Sequence, residues 1–196
     1  KTPLSRMRLR LDDESIDPEV REGFSHDIEE MLLLLESIQA YVESDGRSIQ
    51  QEKIDVAVMA ETLIDTVADQ GADAIYTGAS HLEIYARPIS IRRSLSNLIS
   101  NALHYGGNVR VIVRRDNSHA EIIVEDDGPG IPEDRIQDAL QSFVRLDTAR
   151  GRDTAGMGLG LAIVRKAVQA ENGTLELMNR PEGGLRATIK LPLSNR

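Results

Sequence analysis

The sequence predicts an α+β fold: a two-layer α/β sandwich, with helices on one side of a mostly antiparallel sheet, preceded by an α-helical hairpin. Three observations predict it. Val20, Phe24, Ile28, Met31, Leu35, Ile38 and Val42 are spaced 4, 4, 3, 4, 3 and 4 apart, a heptad-like stripe that describes a helix lying along another helix. Beyond Lys53 the pattern changes to short alternating stretches, Val109, Val111, Val113 and Ile122, Val124, which read as strands. Around them lie longer segments with helical spacing, Pro88 to His104 and Leu159 to Ala170.

Each element has a local cause. Leu4, Met7 and Leu11 carry the stripe of a first helix, and Asp12 to Asp17 connect it to the second. Asp17 suits the N-cap of that second helix and Pro18 its first helical position; the helix ends near Asp45-Gly46. Two such helices cannot bury their apolar faces alone. They pack either on the rest of the chain or, as the heptad-like stripe favours, on a second copy as a dimeric four-helix bundle. With Asp45 to Gln51 as linker, the chain divides into a hairpin, 1–50, and a second domain, 51–196. In the second domain Ile54 to Ala68 reads as a helix, Leu82 to Ala86 as a strand, and Pro88 to His104 as a long helix with its proline in the first turn. Asp116-Asn117-Ser118 is a turn between the alternating stretches, and Thr174 to Met178 and Leu185 to Leu191 make a terminal hairpin around Pro181-Glu182-Gly183-Gly184.

Composition excludes several functions. The 196 residues, 40% of them apolar, suit one ordinary domain with an appendage. With no Cys there is no disulfide framework, thiolate nucleophile or Cys-based zinc site. A net charge of −9 argues against a general nucleic-acid binder, which needs a basic surface. No apolar run approaches the roughly 20 residues that span a bilayer, and no signal peptide is visible. Because Lys1 falls in what reads as mid-motif, the chain is taken as a piece of a longer protein, whose membrane segments it says nothing about.

Three groups of residues carry chemistry. Asn97 and Asn101, four apart on the long helix, project from one face, and Tyr105 continues the row. An amide oxygen is a hard neutral ligand that Mg²⁺ accepts while it keeps waters and phosphate oxygens; two such Asn also suit a merely solvent-facing helix. Asp126 would end a strand, with Gly128 and Gly130 in the turn after it. A carboxylate there can accept from an adenine amino group while the glycines let the backbone come close, although Asp-Asp-Gly-Pro-Gly also suits a plain tight turn. Gly156, Gly158 and Gly160 lead into a helix, placing free N–H groups where phosphates could be held. The order of the three, each at a boundary between elements, points to a nucleotide pocket.

In that order the chain resembles the ATP-binding domain shared by histidine kinases, type II topoisomerases, Hsp90 chaperones and MutL mismatch-repair proteins, a sandwich of the GHKL or Bergerat type. Asn97-Leu98-Ile99-Ser100-Asn101-Ala102 resembles its N box, Asp126 to Gly130 its first glycine box, Phe143-Val144-Arg145 its F box, and Gly156 to Leu161 its second glycine box. The resemblance spans roughly Ile54 to Leu193. Two features select the histidine kinases. The other branches typically carry a water-activating Glu at the first N-box position, where this chain has Asn97. Lys1-Thr2-Pro3-Leu4 is similar to the end of His-Asp-Leu-Arg-Thr-Pro-Leu in sensor kinases of the EnvZ type.

The resemblance implies that ATP and Mg²⁺ are the cofactors, with Asn101 holding the metal and Asn97 assisting. His104 would lie near the phosphates, Tyr105 would pack on the adenine, and Asp126 would read its amino group, with Gly128, Gly130 and Ile131 alongside. Gly156, Met157, Gly158, Leu159 and Gly160 would hold the phosphates, and Ser142 to Ala155 would form a lid whose Arg145 approaches the γ-phosphate. The acceptor histidine would stand three residues before Lys1, outside this chain, which by itself would bind ATP without labelling itself. His26 lacks the Thr-Pro that follows an acceptor, and His81 and His119 read as surface or strand-end residues. Thr2 would support dephosphorylation of a response regulator. The implied partners are a second copy, through the hairpin, and a response-regulator receiver domain; the implied location is the cytoplasmic side of a membrane-anchored bacterial protein. Two alternatives remain at this point: a nucleotide-sensing or partner-docking module without kinase activity, and an anti-sigma-type serine kinase, which lacks a long bundle hairpin.

Overall fold

The computed structural model describes residues 50–141 and 160–193. The expected hairpin, 1–50, except for its last residue, and the segment 142–159 lie outside the described residues.

The described chain runs β1 (Glu52–Asp55), α1 (Val56–Asp69), β2 (Asp73–Gly78), β3 (Glu83–Ala86), α2 (Pro88–Gly106), β4 (Asn108–Asp116) and β5 (His119–Glu125). A 3₁₀ turn (Glu133–Arg135), α3 (Ile136–Ala139), α4 (Gly160–Gln169), β6 (Thr174–Asn179) and β7 (Leu185–Pro192) complete it. The main sheet has the order β2-β4-β5-β7-β6; β2 is parallel to β4 and every other pair is antiparallel. β1 and β3 form a separate antiparallel ribbon. The α+β sandwich expected from the sequence is the observed architecture.

Alternation along the strands builds the layer contact. Val111, Val124 and Ala187 are successive partners across β4, β5 and β7, as are Val113, Ile122 and Ile189. All six are buried, in one core with Ile91, Leu95, Leu98 and Ile99 of α2, Val164 and Val168 of α4, and Val56, Ala60 and Ile64 of α1. Each large aliphatic side chain so placed contributes roughly 1.5–3 kcal/mol. The alternate residues carry Glu121 and Glu125, which are buried beneath the cations that pair with them. Arg114 Nε lies 2.5 Å from Glu121, and Arg186 Nε donates to Glu125 at 2.6 Å.

Two segments differ from expectation. The helix expected from Ile54 begins at Val56, because the Asp55 carboxylate accepts from the N–H groups of Ala57 (3.1 Å) and Val58 (3.2 Å) and caps it. Residues 52–55 pair instead with β3 in register Ile54↔Ile84. β2, which carries no strong alternating signal, forms a full strand because β4 offers a parallel partner from Asp73↔Asn108 to Gly78↔Val113.

Candidate functional site

α2 is the spine of the site. Pro88 stands in its first turn, and it ends where Gly107 takes φ 74°, a left-handed cap. Its buried stripe, Ile91, Leu95, Leu98, Ile99 and Ala102, fixes the helix against the sheet and leaves Asn97 and Asn101 half-buried at the edge of that stripe. At the last turn His104 and Tyr105 are exposed, their rings edge to face with centroids 4.6 Å apart.

Two other segments meet this edge. The first residue of α4, Gly160, faces Asn101: a methyl group there would lie 3.6 Å from Asn101 Nδ2 and 3.8 Å from Oδ1. Asp126, the first residue beyond β5, meets the last turn of α2. A methyl group on Gly106 would come within 2.5 Å of Asp126 Cβ, and one on Gly128 within 2.8 Å of the Tyr105 carbonyl oxygen. Gly160 therefore lies at Asn101, and Asp126 and Gly128 lie against the last turn of α2 at Tyr105 and Gly106.

Asp126 is buried, so the partners of its carboxyl group matter. Its Oδ1 accepts from the N–H groups of Gly128 (2.8 Å) and Leu185 (3.2 Å). Both of these bonds fall on Oδ1; Oδ2 takes neither. The Asp126 N–H donates to Leu185 O at 3.1 Å, and its carbonyl accepts from Arg180 Nη1 at 2.6 Å. Next to it, Asp127 is paired with Arg180, and its N–H donates to Asn108 Oδ1 at 3.0 Å. Hydrogen bonding from Asn108, then from Arg180, holds the Asp127 carboxyl below the usual range. Gly130 takes φ 69° in the turn, and Ile131 is fixed at both its backbone groups by Asn179: Ile131 N–H donates to Oδ1 at 2.8 Å and Nδ2 donates to Ile131 O at 2.6 Å.

Of the candidate residues within the described chain, Asn97, Asn101, His104 and Tyr105 lie on α2, Asp126, Gly128, Gly130 and Ile131 in the loop that follows β5, and Gly160 at the start of α4. Thr2, Arg145, Gly156, Met157, Gly158 and Leu159 lie outside the described residues. Sequence reasoning passed over Gly106, Asn108, Asn179 and Arg180. Gly183-Gly184 marked the β6–β7 turn, but nothing in a linear pattern says that this turn folds over Asp126.

The donor set can be tested against magnesium. Among the described residues no three His, Asp or Glu cluster as metal ligands, so no all-protein cage exists there. The amide of Asn101 beside a helix N-terminus suits a metal that takes most of its ligands from water and phosphate oxygens. No helix among the described residues is long and apolar enough to cross a membrane.

A sandwich whose central helix meets a glycine helix start at Asn101 and a strand-end aspartate at its last turn defines a distinct class of domain. Residues 86–195 match the family described as histidine kinase-, DNA gyrase B- and HSP90-like ATPases, and the chain belongs to that family. Its likeness within it is to sensor histidine kinases. Sensor histidine kinase GtrS of Pseudomonas aeruginosa is 32% identical over an alignment of 196 positions that covers 98% of this chain and 39% of that protein. The solved histidine kinase domain of the E. coli osmosensor EnvZ is 35% identical, with a TM-score of 0.55 over 77% of this chain and 94% of that one. Full-length ShkA, solved in complex with AMPPNP, shares the fold at a TM-score of 0.77 and 19% identity, over 98% of this chain and 42% of that one. The chain spans less than half the length of the curated relatives it matches.

Proposed function

We propose that this chain is the ATP-binding catalytic region of a sensor histidine kinase, which transfers the γ-phosphoryl group of ATP to a histidine and thence to an aspartate of a response regulator. The observation that carries the reading is the Asp126 carboxylate, buried at the end of β5 with Oδ1 held by two backbone N–H groups. An acceptor fixed in this way reads a donor, and the exocyclic amino group of adenine is such a donor. Tyr105, on the last turn of α2, packs on the base, with Gly128, Gly130 and Ile131 lining its other edge. Asn101 and Asn97, one and two turns back toward the N-terminus, lie at the phosphate end, with His104 nearby. Gly160 opens α4 there and presents its end of the helix to the anion; Gly156, Met157, Gly158 and Leu159 continue that role and Arg145 approaches the γ-phosphate.

Mg²⁺ held by Asn101, with Asn97 assisting, would offset phosphate charge in the transfer. The chain's own residues position the triphosphate so that a neutral imidazole attacks γ-phosphorus in line while the β–γ bridging oxygen leaves on ADP. With Asn97 where a carboxylate base would activate water, hydrolysis is slow and the phosphoryl group is kept for histidine.

Residues 1–50 serve as the end of a dimerisation and phosphotransfer hairpin and 51–196 as the catalytic domain. The acceptor histidine belongs three residues before Lys1, Thr2 assists dephosphorylation of the regulator, and the whole acts on the cytoplasmic side of a membrane-anchored homodimer. A chain extended N-terminally through the expected histidine, given Mg-ATP labelled at the γ-phosphate and then a receiver domain, should acquire acid-labile label and pass it on. Acid-stable label would indicate a serine kinase, and no label a binding module; either result contradicts the proposal.

A further inference from the structure

We propose that the β6–β7 turn, through Asn179 and Arg180, is the device that fixes the Asp126 carboxylate and thereby sets the preference for adenine; the inference rests on the nucleotide reading above. Asn179 and Arg180 are positioning residues, since both act through the Asp126 segment. Four observations converge on it. Asn179 pairs with both backbone groups of Ile131, at 2.8 and 2.6 Å, as a neighbouring strand would. Arg180 Nη1 donates to the Asp126 carbonyl at 2.6 Å and is paired with the Asp127 carboxylate. The Leu185 carbonyl accepts from the Asp126 N–H at 3.1 Å, and the Leu185 N–H donates to Asp126 Oδ1 at 3.2 Å. Gly184, at φ 90°, lies so close that a methyl group there would stand 1.9 Å from the Asp126 carbonyl oxygen.

The turn therefore grips the loop from Asp126 to Ile131 at both ends, although about 50 residues of sequence separate the two: Ile131 and Asn179 are 48 apart and Asp126 and Arg180 are 54 apart. The chemical consequence concerns discrimination. Adenine presents an amino donor where guanine presents a carbonyl acceptor, so a carboxylate opposite that position attracts one base and repels the other. The repulsion is effective only if the carboxylate cannot swing away. Gly128, which supplies one of the two N–H groups on Oδ1, belongs to the gripped loop itself; the clamp fixes that donor as well as the acceptor.

The test is titration of the 196-residue chain with Mg-ATP and Mg-GTP, with folding followed by thermal melting. Asn179→Ala should weaken ATP binding about tenfold and shrink the ATP-over-GTP preference by a similar factor. Asn179→Asp keeps the acceptor for Ile131 N–H but sets a carboxylate oxygen against the Ile131 carbonyl, so it should weaken binding at least as much as Ala. Arg180→Met should act in the same direction, and it serves if Asn179→Ala does not fold. In an Asp126→Asn background neither substitution should cost further affinity, because the group they position is already gone. Equal losses in both backgrounds, or ATP and GTP weakened alike, would mean that the turn only supports the fold and would overturn the inference. Wild type that binds Mg-ATP and loses it on Asp126→Asn, but not on Asn179→Ala or Arg180→Met, would overturn this inference alone. Failure of wild type to bind Mg-ATP would remove the nucleotide reading and this inference with it.

Discussion

The last residue of α2, Gly106, lies against Asp126 at the end of β5: a methyl group on Gly106 would sit 2.5 Å from Asp126 Cβ and 3.1 Å from Oδ1. In an unconstrained helix, Ala in place of Gly gains about 1 kcal/mol. Here Gly106→Ala should reverse that sign, lowering the melting temperature and weakening Mg-ATP binding at least tenfold as Asp126 is displaced, about the effect of one lost charged hydrogen bond. Thermal melting and calorimetry on the same preparation check both halves.

Asp55 closes the start of α1. Burial raises its pKa, but hydrogen bonds from Leu82 N–H, the His81 side chain and Val58 N–H outweigh it, and the net shift is downward from 3.8. A depressed carboxylate stabilises the fold fully above its unfolded value and loses that contribution as pH falls through the lower, folded value. Asp55→Ala should therefore cost about 1–2 kcal/mol at neutral pH, the worth of a cap. The difference from wild type should vanish in strong acid. Urea melts across the pH range would show it.

Glu171 follows α4 and ties three segments together. Its Oε1 accepts from Arg87 Nε at 2.6 Å, immediately before α2, and its Oε2 accepts from Gln51 Nε2 at 2.8 Å, immediately before β1. The Glu171 side chain is 1% exposed and that of Arg87 24%. Removing one partner of a buried pair strands the other, so Glu171→Ala should destabilise the fold by roughly 3 kcal/mol. Denaturant unfolding measures this directly.

Asn101 beside Gly160 carries the magnesium assignment. Asn101→Ala should abolish most of the gain in ATP affinity that Mg²⁺ brings, while ATP binding in excess chelator changes little. Titrations with and without the metal separate this from general damage, which would weaken binding under both conditions.

The layers were legible because period-2 and period-3.6 patterns survive in β4, β5 and α2, where burial on one face is nearly complete. β2 was not: its alternate residues Ala74 and Tyr76 are only half-buried, so its strand character comes from β4 and not from its own pattern. β1 was hidden by a helical-looking run whose start is set by the Asp55 cap. At the site, Asn97 and Asn101 were legible as an i, i+4 pair on one helix, and Asp126 and the glycines because each sits at or beside an element boundary. Asn179 and Arg180 were not, because their partners are distant in sequence and an Asn-Arg-Pro turn looks like any other.

The most direct test of the central claim is Mg-ATP titration of wild type beside Asp126→Asn. Asn retains one side-chain oxygen for the N–H groups of Gly128 and Leu185 but turns an amide donor toward the base, so the fold should persist while the recognising atom changes sign. The account predicts an unchanged melting temperature without nucleotide and an affinity at least about tenfold weaker. Equal affinity in the two proteins would contradict it.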